Sequence, residues 1–259
     1  MRVVMGVEYL GAAYHGFQFQ ENCLSIQQVV EEALGKVANH QVKIVCAGRT
    51  DAGVHAVEQV IHFDTEAART PRAWVFGANG YLPKDISVRW MRHVPETFHA
   101  RFSALQRRYY YVIYNHPIRP ALLRERVAWH CRPLDVEKMQ EAANYWWGQH
   151  DFSSFRAAAC QAKTAVRTLY DLTIFRKNDF VVVTVQADAF LHHMVRNFVG
   201  VLLAVGEGAQ SPSWAKVVLD ACDRTAGGKT APAEGLYLYN ISYPELFQLP
   251  EPVRFFEFL

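Results

Sequence analysis

Residues 42–64 read VKIVCAGRTDAGVHAVEQVIHFD. Apolar and β-branched side chains dominate 42–47 and again 57–64, so both ends read as strands. A minimal hairpin joins two strands with two residues, yet about ten lie between them here. An Asp followed by a small residue and Gly ordinarily forms an Asx turn, its carboxylate bonded to its own backbone. The extra length, and the placing of Asp51 between Gly48 and Gly53 with Arg49 and His55 alongside, point elsewhere. Long loops on rigid scaffolds carry function, glycine permits unusual backbone angles, and Asp51 is the candidate nucleophile.

Outward from this hairpin the chain repeats one plan. Val3, Met5, Val7 and Tyr9 alternate as a strand. Ser25-Ile26-Gln27-Gln28 has the form of a capping box, with Ile26, Val29, Val30, Ala33 and Leu34 at helical spacing after it. Thr70-Pro71 opens a second helix, and Ile86, Val88 and Trp90 alternate again, giving β-α-β-β-α-β. The second half is expected to match: a strand at 107–115, a helix at 135–147 ended by Gly148, and a hairpin at 168–189 turning at Asn178-Asp179. Helices at about 190–205 and 213–222 follow, then a last strand at 236–243. Split βαβ units of this kind form antiparallel sheets with helices on one face. The fold class is therefore α+β: two ferredoxin-like, RRM-like halves, 1–102 and 103–259, sharing a long antiparallel sheet with a central cleft.

With 259 residues, 51% of them hydrophobic, the chain can bury a substantial core. Cys23, Cys46, Cys131, Cys160 and Cys222 are odd in number and widely spaced, which suggests neither a disulfide framework nor a zinc site and favours a reducing, cytoplasmic setting. A charge at Arg2 and the short uncharged run at 197–206 argue against export or membrane insertion. The net charge of +2 conceals a basic stretch: residues 84–134 hold ten Lys or Arg against three Asp or Glu. Its arginines flank Tyr109-Tyr110-Tyr111, a combination suited to phosphate contact and base stacking.

Five motifs in order carry a resemblance. They are Tyr9-x-Gly11-x-x-Tyr14-x-Gly16-Phe17-Gln18, the stretch Gly48 to Ala56, Arg107-Arg108-Tyr109, Phe190-Leu191-His192-His193-Met194-Val195-Arg196-Asn197 and Ala231-Pro232-Ala233-Glu234-Gly235-Leu236. Together they span nearly the whole chain, which resembles the tRNA pseudouridine synthase A family. The resemblance implies isomerisation of uridine to pseudouridine at tRNA positions 38, 39 and 40 in the anticodon stem-loop, by a homodimer without a cofactor. It implies that Asp51 is catalytic, that Tyr109 lies against the target base, and that Arg196 pairs with the carboxylate. Arg49 is matched to holding the displaced nucleotide and Leu236 to the apolar wall of the pocket. Tyr110 departs from the family pattern, where a basic or polar residue is more usual.

The chemistry suits these residue types. A carboxylate, with an ordinary pKa of about 3.9, attacks without a separate activating base. Attack at C1′, addition at C6 of uracil and removal of the 2′ proton all remain open. A stem uridine must first leave its stack. Arg196 falls four residues after His192 beside the stripe of Met194, Val195, Phe198 and Leu202, where a snorkelling arginine is the ordinary reading. His192-His193 is not expected to bind metal, because adjacent helical residues diverge by about 100°. His55 either contacts RNA or closes the loop through a hydrogen bond. Strand alternation turns Tyr109 and Tyr111 away from Tyr110, and Arg107 and Arg108 are candidate RNA contacts. The apolar end at 253–259 is expected to dock on the body or a partner subunit. Two other classes compete: a non-catalytic tRNA-binding or RNA-chaperone module, and an N-glycoside hydrolase, which would normally need a second carboxylate that the loop does not offer before Glu58.

Overall fold

In a computed structural model, which describes residues 1–251, the alternating apolar positions of the N-terminus form β1 (Arg2–Tyr9). The helix expected next is α1 (Ile26–Ala38). Ser25 Oγ accepts from the Gln28 N–H at 3.3 Å, while the Gln28 side chain turns to Glu32, so only half of the capping box forms. The decisive hairpin becomes β2 (Val45–Cys46) and β3 (His55–Asp64). Thr70 caps α2 (Pro71–Tyr81) with Pro71 in its first turn, and β4 (Ile86–Val94) follows. Trp74 of α2 is wholly buried and meets Phe63 of β3 edge-on at 5.4 Å, so the helix covers one face of the strands.

The second half contributes β5 (Gln106–Asn115), β6 (Ala128–His130), α3 (Val136–Asn144), β7 (Gly148–Asp151), β8 (Val166–Lys177) and β9 (Phe180–Ala187). Then come α4 (Met194–Gly206), α5 (Trp214–Ala221) and β10 (Leu236–Ser242). The helix expected to reach 147 stops at Asn144. Trp146 is drawn into a cluster with Phe152, Phe155 and Phe198, and Gly148 takes φ +88 to start β7.

Two units emerge, and the division differs from 1–102 and 103–259. Met1–Leu105 cluster with the described residues from Tyr237 on, and Gln106–Leu236 form the second unit. The cause is β10, whose Tyr237 and Leu238 pair in parallel with His55 and Ala56 of β3. Strand order is β4-β1-β3-β10 in the first unit, with β2 antiparallel to β3, and β5-β9-β8-β7 in the second. The β6 strand runs parallel to β5. Both units therefore carry mixed pairing where antiparallel sheets are expected: a short strand returning after a long excursion has no hairpin to impose its direction. The terminal stretch at 253–259 lies outside the described residues. No helix among those described is long and apolar enough to cross a membrane.

Candidate active site

The Asp51 loop is docked along its length. Beyond β2, the Ala47 N–H continues the ladder to the Val60 carbonyl at 2.8 Å, and Gly48 is held by the Gln59 side chain. Thr50 is buried; its hydroxyl meets the Tyr9 hydroxyl at 2.7 Å and its carbonyl accepts the Phe17 N–H at 3.0 Å. The main-chain carbonyl of Asp51 accepts the Val54 N–H at 3.1 Å, and Gly53 at φ +78 occupies the third position of that turn, where positive φ favours glycine. An Asx turn would use the Gly53 N–H, which donates instead to the Tyr14 carbonyl at 3.3 Å. The turn is thus closed by backbone, with Asp51 half-buried at its first position.

That frame is built by the first motif. A Cβ on Gly11 would stand 1.9 Å from the Val54 carbonyl oxygen, and Gly16, at φ +91, would place one 2.8 Å from the Thr50 oxygen. Only glycine admits this approach. Tyr14 donates its hydroxyl to Asp85 at 2.8 Å, and burial, then Asp85, pushes its phenol pKa well up, so it remains a donor. Leu10 donates to the Asp85 carbonyl at 2.9 Å. These bracing roles of Gly11, Tyr14, Gly16 and Asp85 are not apparent from sequence spacing.

His55, 1% exposed, opens β3. Its Nδ1 accepts the Gly11 N–H at 2.9 Å and its ring meets Tyr237 at 4.7 Å. The hydrogen bond expected of His55 is thus formed, to the backbone of Gly11. Arg49 is exposed, near Cys46, whose thiol burial pushes up to about 11. Just past the loop β3 carries a bulge, Val7 pairing with Gln59 and Tyr9 with Ala56, which places an extra residue on β3; bulges re-aim strands beside functional loops.

In the second unit Tyr109 and Tyr111 share the buried face of β5, 8% and 0% exposed, while Tyr110 is half-buried on the other. Tyr109 meets Phe190 edge-on at 4.9 Å. Tyr111 donates to the Pro232 carbonyl at 2.8 Å, and burial holds its phenol well above the ordinary range. Arg196 does more than snorkel: its Nε donates to the Ala231 carbonyl at 2.8 Å and its own carbonyl accepts from the Ala231 N–H at 3.1 Å. The motif at 190–197 and that at 231–236 are thereby one structure, with Leu236 buried at its end. Asn197, 2% exposed, completes it, bonding Phe155, Arg224 and Thr230. Arg107 donates to the Asp188 carbonyl at 2.8 Å; Arg108 bonds Gln186 and stands 3.8 Å from Asp171.

His192 and His193 precede α4 and do not lie on it. His193 caps the helix at φ 62 and the two ring centroids lie 4.1 Å apart with the rings tilted by 42°, so the divergence expected of adjacent helical residues does not apply.

A docked carboxylate loop in one unit and an aromatic strand with a seated arginine in the other, each among strands of mixed pairing, place the chain in the α+β class. The family model described as tRNA pseudouridine synthase matches residues 5–103 and 142–244. The chain is 56% identical over 249 residues to the tRNA pseudouridine synthase A of Coxiella burnetii (strain Dugway 5J108-111), covering 96% of this chain and 95% of that one. It is 53% identical to the protein of the same name from Legionella pneumophila (strain Lens), with 96% and 95% covered. It is also 53% identical to that of Vibrio cholerae serotype O1 (strain M66-2), with 97% and 95% covered. The chain belongs to the tRNA pseudouridine synthase family and is an isomerase that converts uridine to pseudouridine.

Proposed function

We propose that this isomerase acts on uridines 38, 39 and 40 in the anticodon stem-loop of tRNA, without a cofactor, as a cytoplasmic homodimer. The observation that carries the reading is the docked Asp51 loop, which fixes a carboxylate in a frame closed by other groups. Asp51 is the nucleophile or base, Tyr109 the residue against the target uracil and Arg196 the cationic group. Arg49 holds the displaced nucleotide, Leu236 supplies apolar wall, and Arg107 with Arg108 contact RNA. The dimer, the site positions and the location rest on likeness to the family.

The reaction balances without redox chemistry. The bond from C1′ to N1 of uracil breaks, the base turns, a bond forms between C1′ and C5, N1 gains a proton, and the hydrogen on C5 is released. A group that retains the free uracil and excludes water prevents hydrolysis from intercepting it. Tritium released from tRNA labelled at C5 therefore counts turnovers. We expect release by the wild-type protein with product at 38–40, and a loss of at least about 10³-fold for Asp51→Asn. Substantial turnover by that variant would remove Asp51 from the chemistry.

A further inference from the structure

The segment that follows the brace presents apolar groups for which the fold has no use. Phe17 is 2% exposed and belongs to the core, but Phe19 and Leu24 are 51% and 48% exposed. They are not on a floppy excursion. Gln20 and Cys23 bridge across Glu21 and Asn22, and Asn22 sits at φ 67. The Gln20 amide donates to the His15 carbonyl at 2.8 Å, His15 N–H to the Leu24 carbonyl at 3.0 Å, and Phe19 N–H to Gln27 Oε1 at 3.0 Å. Phe19, Gln20, Asn22, Cys23, Leu24 and Gln28 line a shallow groove of about 330 Å³.

The chemistry of this groove selects its occupant. Its walls are an aromatic ring, an aliphatic side chain, a thiol and amides, and no cationic residue lines it to meet a phosphate. A neutral, flat ligand that stacks on one face and offers donors and acceptors at its edge is a nucleobase, the unit single-stranded RNA presents when splayed out. The chain entering the groove is bonded to the Asp51 loop, through Phe17 N–H to the Thr50 carbonyl at 3.0 Å and Gly53 N–H to the Tyr14 carbonyl at 3.3 Å. We propose that it receives an unstacked base of the substrate RNA close to the target uridine, stacked on Phe19 and read at its edge by the amide of Asn22. This rests on the reading of Asp51 as the catalytic carboxylate. A turn already closed by its own hydrogen bonds loses little freedom on binding, which favours stacking on Phe19.

The test uses the full chain and an unmodified tRNA transcript tritiated at C5. Loss of one stacking platform predicts a rise of about tenfold in KM for Phe19→Ala with kcat within about twofold of wild type, and near-normal KM for Phe19→Trp, which keeps the face. Saturating tRNA should also slow alkylation of Cys23 by iodoacetamide while leaving Cys222, just past α5, unaffected. An unchanged KM for Phe19→Ala, beside an inactive Asp51→Asn, overturns the groove and leaves the catalytic reading intact. A changed sedimentation coefficient for Phe19→Ala with unchanged KM assigns the patch to a second copy of the chain and also overturns it. If wild type releases no tritium, the catalytic reading fails, and unprotected Cys23 under saturating tRNA then sinks the groove separately.

Discussion

The two hairpins make the sharpest internal contrast. In the second unit β8 and β9 stay paired up to Lys177 and Phe180, and Asn178-Asp179 suffice to turn the chain. In the first, β2 has two residues, the pairing of Val45 with His62 and Cys46 with Ile61 soon gives out, and the chain makes a long excursion before His55. Backbone groups of the second turn are met locally and by one bond from Asn115 N–H to the Asp179 carbonyl at 2.7 Å. In the first loop the Thr50 carbonyl and the Gly53 N–H are met from outside the hairpin, by Phe17 and Tyr14. Buried backbone polar groups need partners, so a loop this long keeps one shape only if another segment supplies them. Here the N-terminal motif is that segment.

The contrast is open to attack at several points. Beyond the loss expected for Asp51→Asn, the largest effect should follow Gly11→Ala. Its Cβ meets a backbone oxygen that has nowhere to move, so we expect at least about a tenfold fall in kcat with roughly 1–3 kcal/mol of destabilisation. Tritium release and urea unfolding measure the two; wild-type kcat would show that the brace does not position the loop.

Acid should distinguish the hairpins next. Burial, then the charges of His99 and Arg2, lower His62 on β3 from 6.5 to about 4, and its Nδ1 accepts the Ala100 N–H at 3.1 Å. Because the folded value lies below the ordinary one, the neutral ring contributes its full stability above pH 6.5 and loses it as pH falls through 4. His99, also lowered, chiefly by burial, adds to the same limb. The expected loss from pH 7 to 4 is roughly 1–3 kcal/mol in urea melts, and His62→Asn should flatten it. A variant whose acid limb matches wild type would exonerate His62.

The smallest effect belongs to the second turn. Asn178 already sits at φ 53, so Asn178→Gly should change stability by no more than about 0.5 kcal/mol and leave turnover untouched. A loss of activity there would mean that the short hairpin also serves the site, and the contrast would collapse.

Much of this is legible in the sequence. Alternation at Val3, Met5, Val7 and Tyr9, the cap at Ser25, Pro71 at a helix start and the turn at Asn178 are local signals, and each marks the element found. The misses have a common cause. β7 is the polar run Gly148–Asp151, which becomes a strand because β8 lies beside it. The helical reading of His192 and His193 failed because periodicity does not reveal that His193 turns left-handed to cap α4. Asn197 gives no sign in its spacing that it ties α4 to three other segments.

The sequence by itself determined the α+β class, the order of the elements and the anomalous loop that carries Asp51, because these depend on side-chain identity and on neighbours a few positions apart. The tertiary structure decided that β10 pairs with β3, that His55 is enclosed as a strut, that Arg196 seats the segment at Ala231, and that Gly11 and Gly16 exist to let one loop lie against another. Those outcomes turn on which distant backbone group supplies a hydrogen bond and how closely two chains approach. Residues tens to hundreds of positions apart settle them, and no local pattern records it.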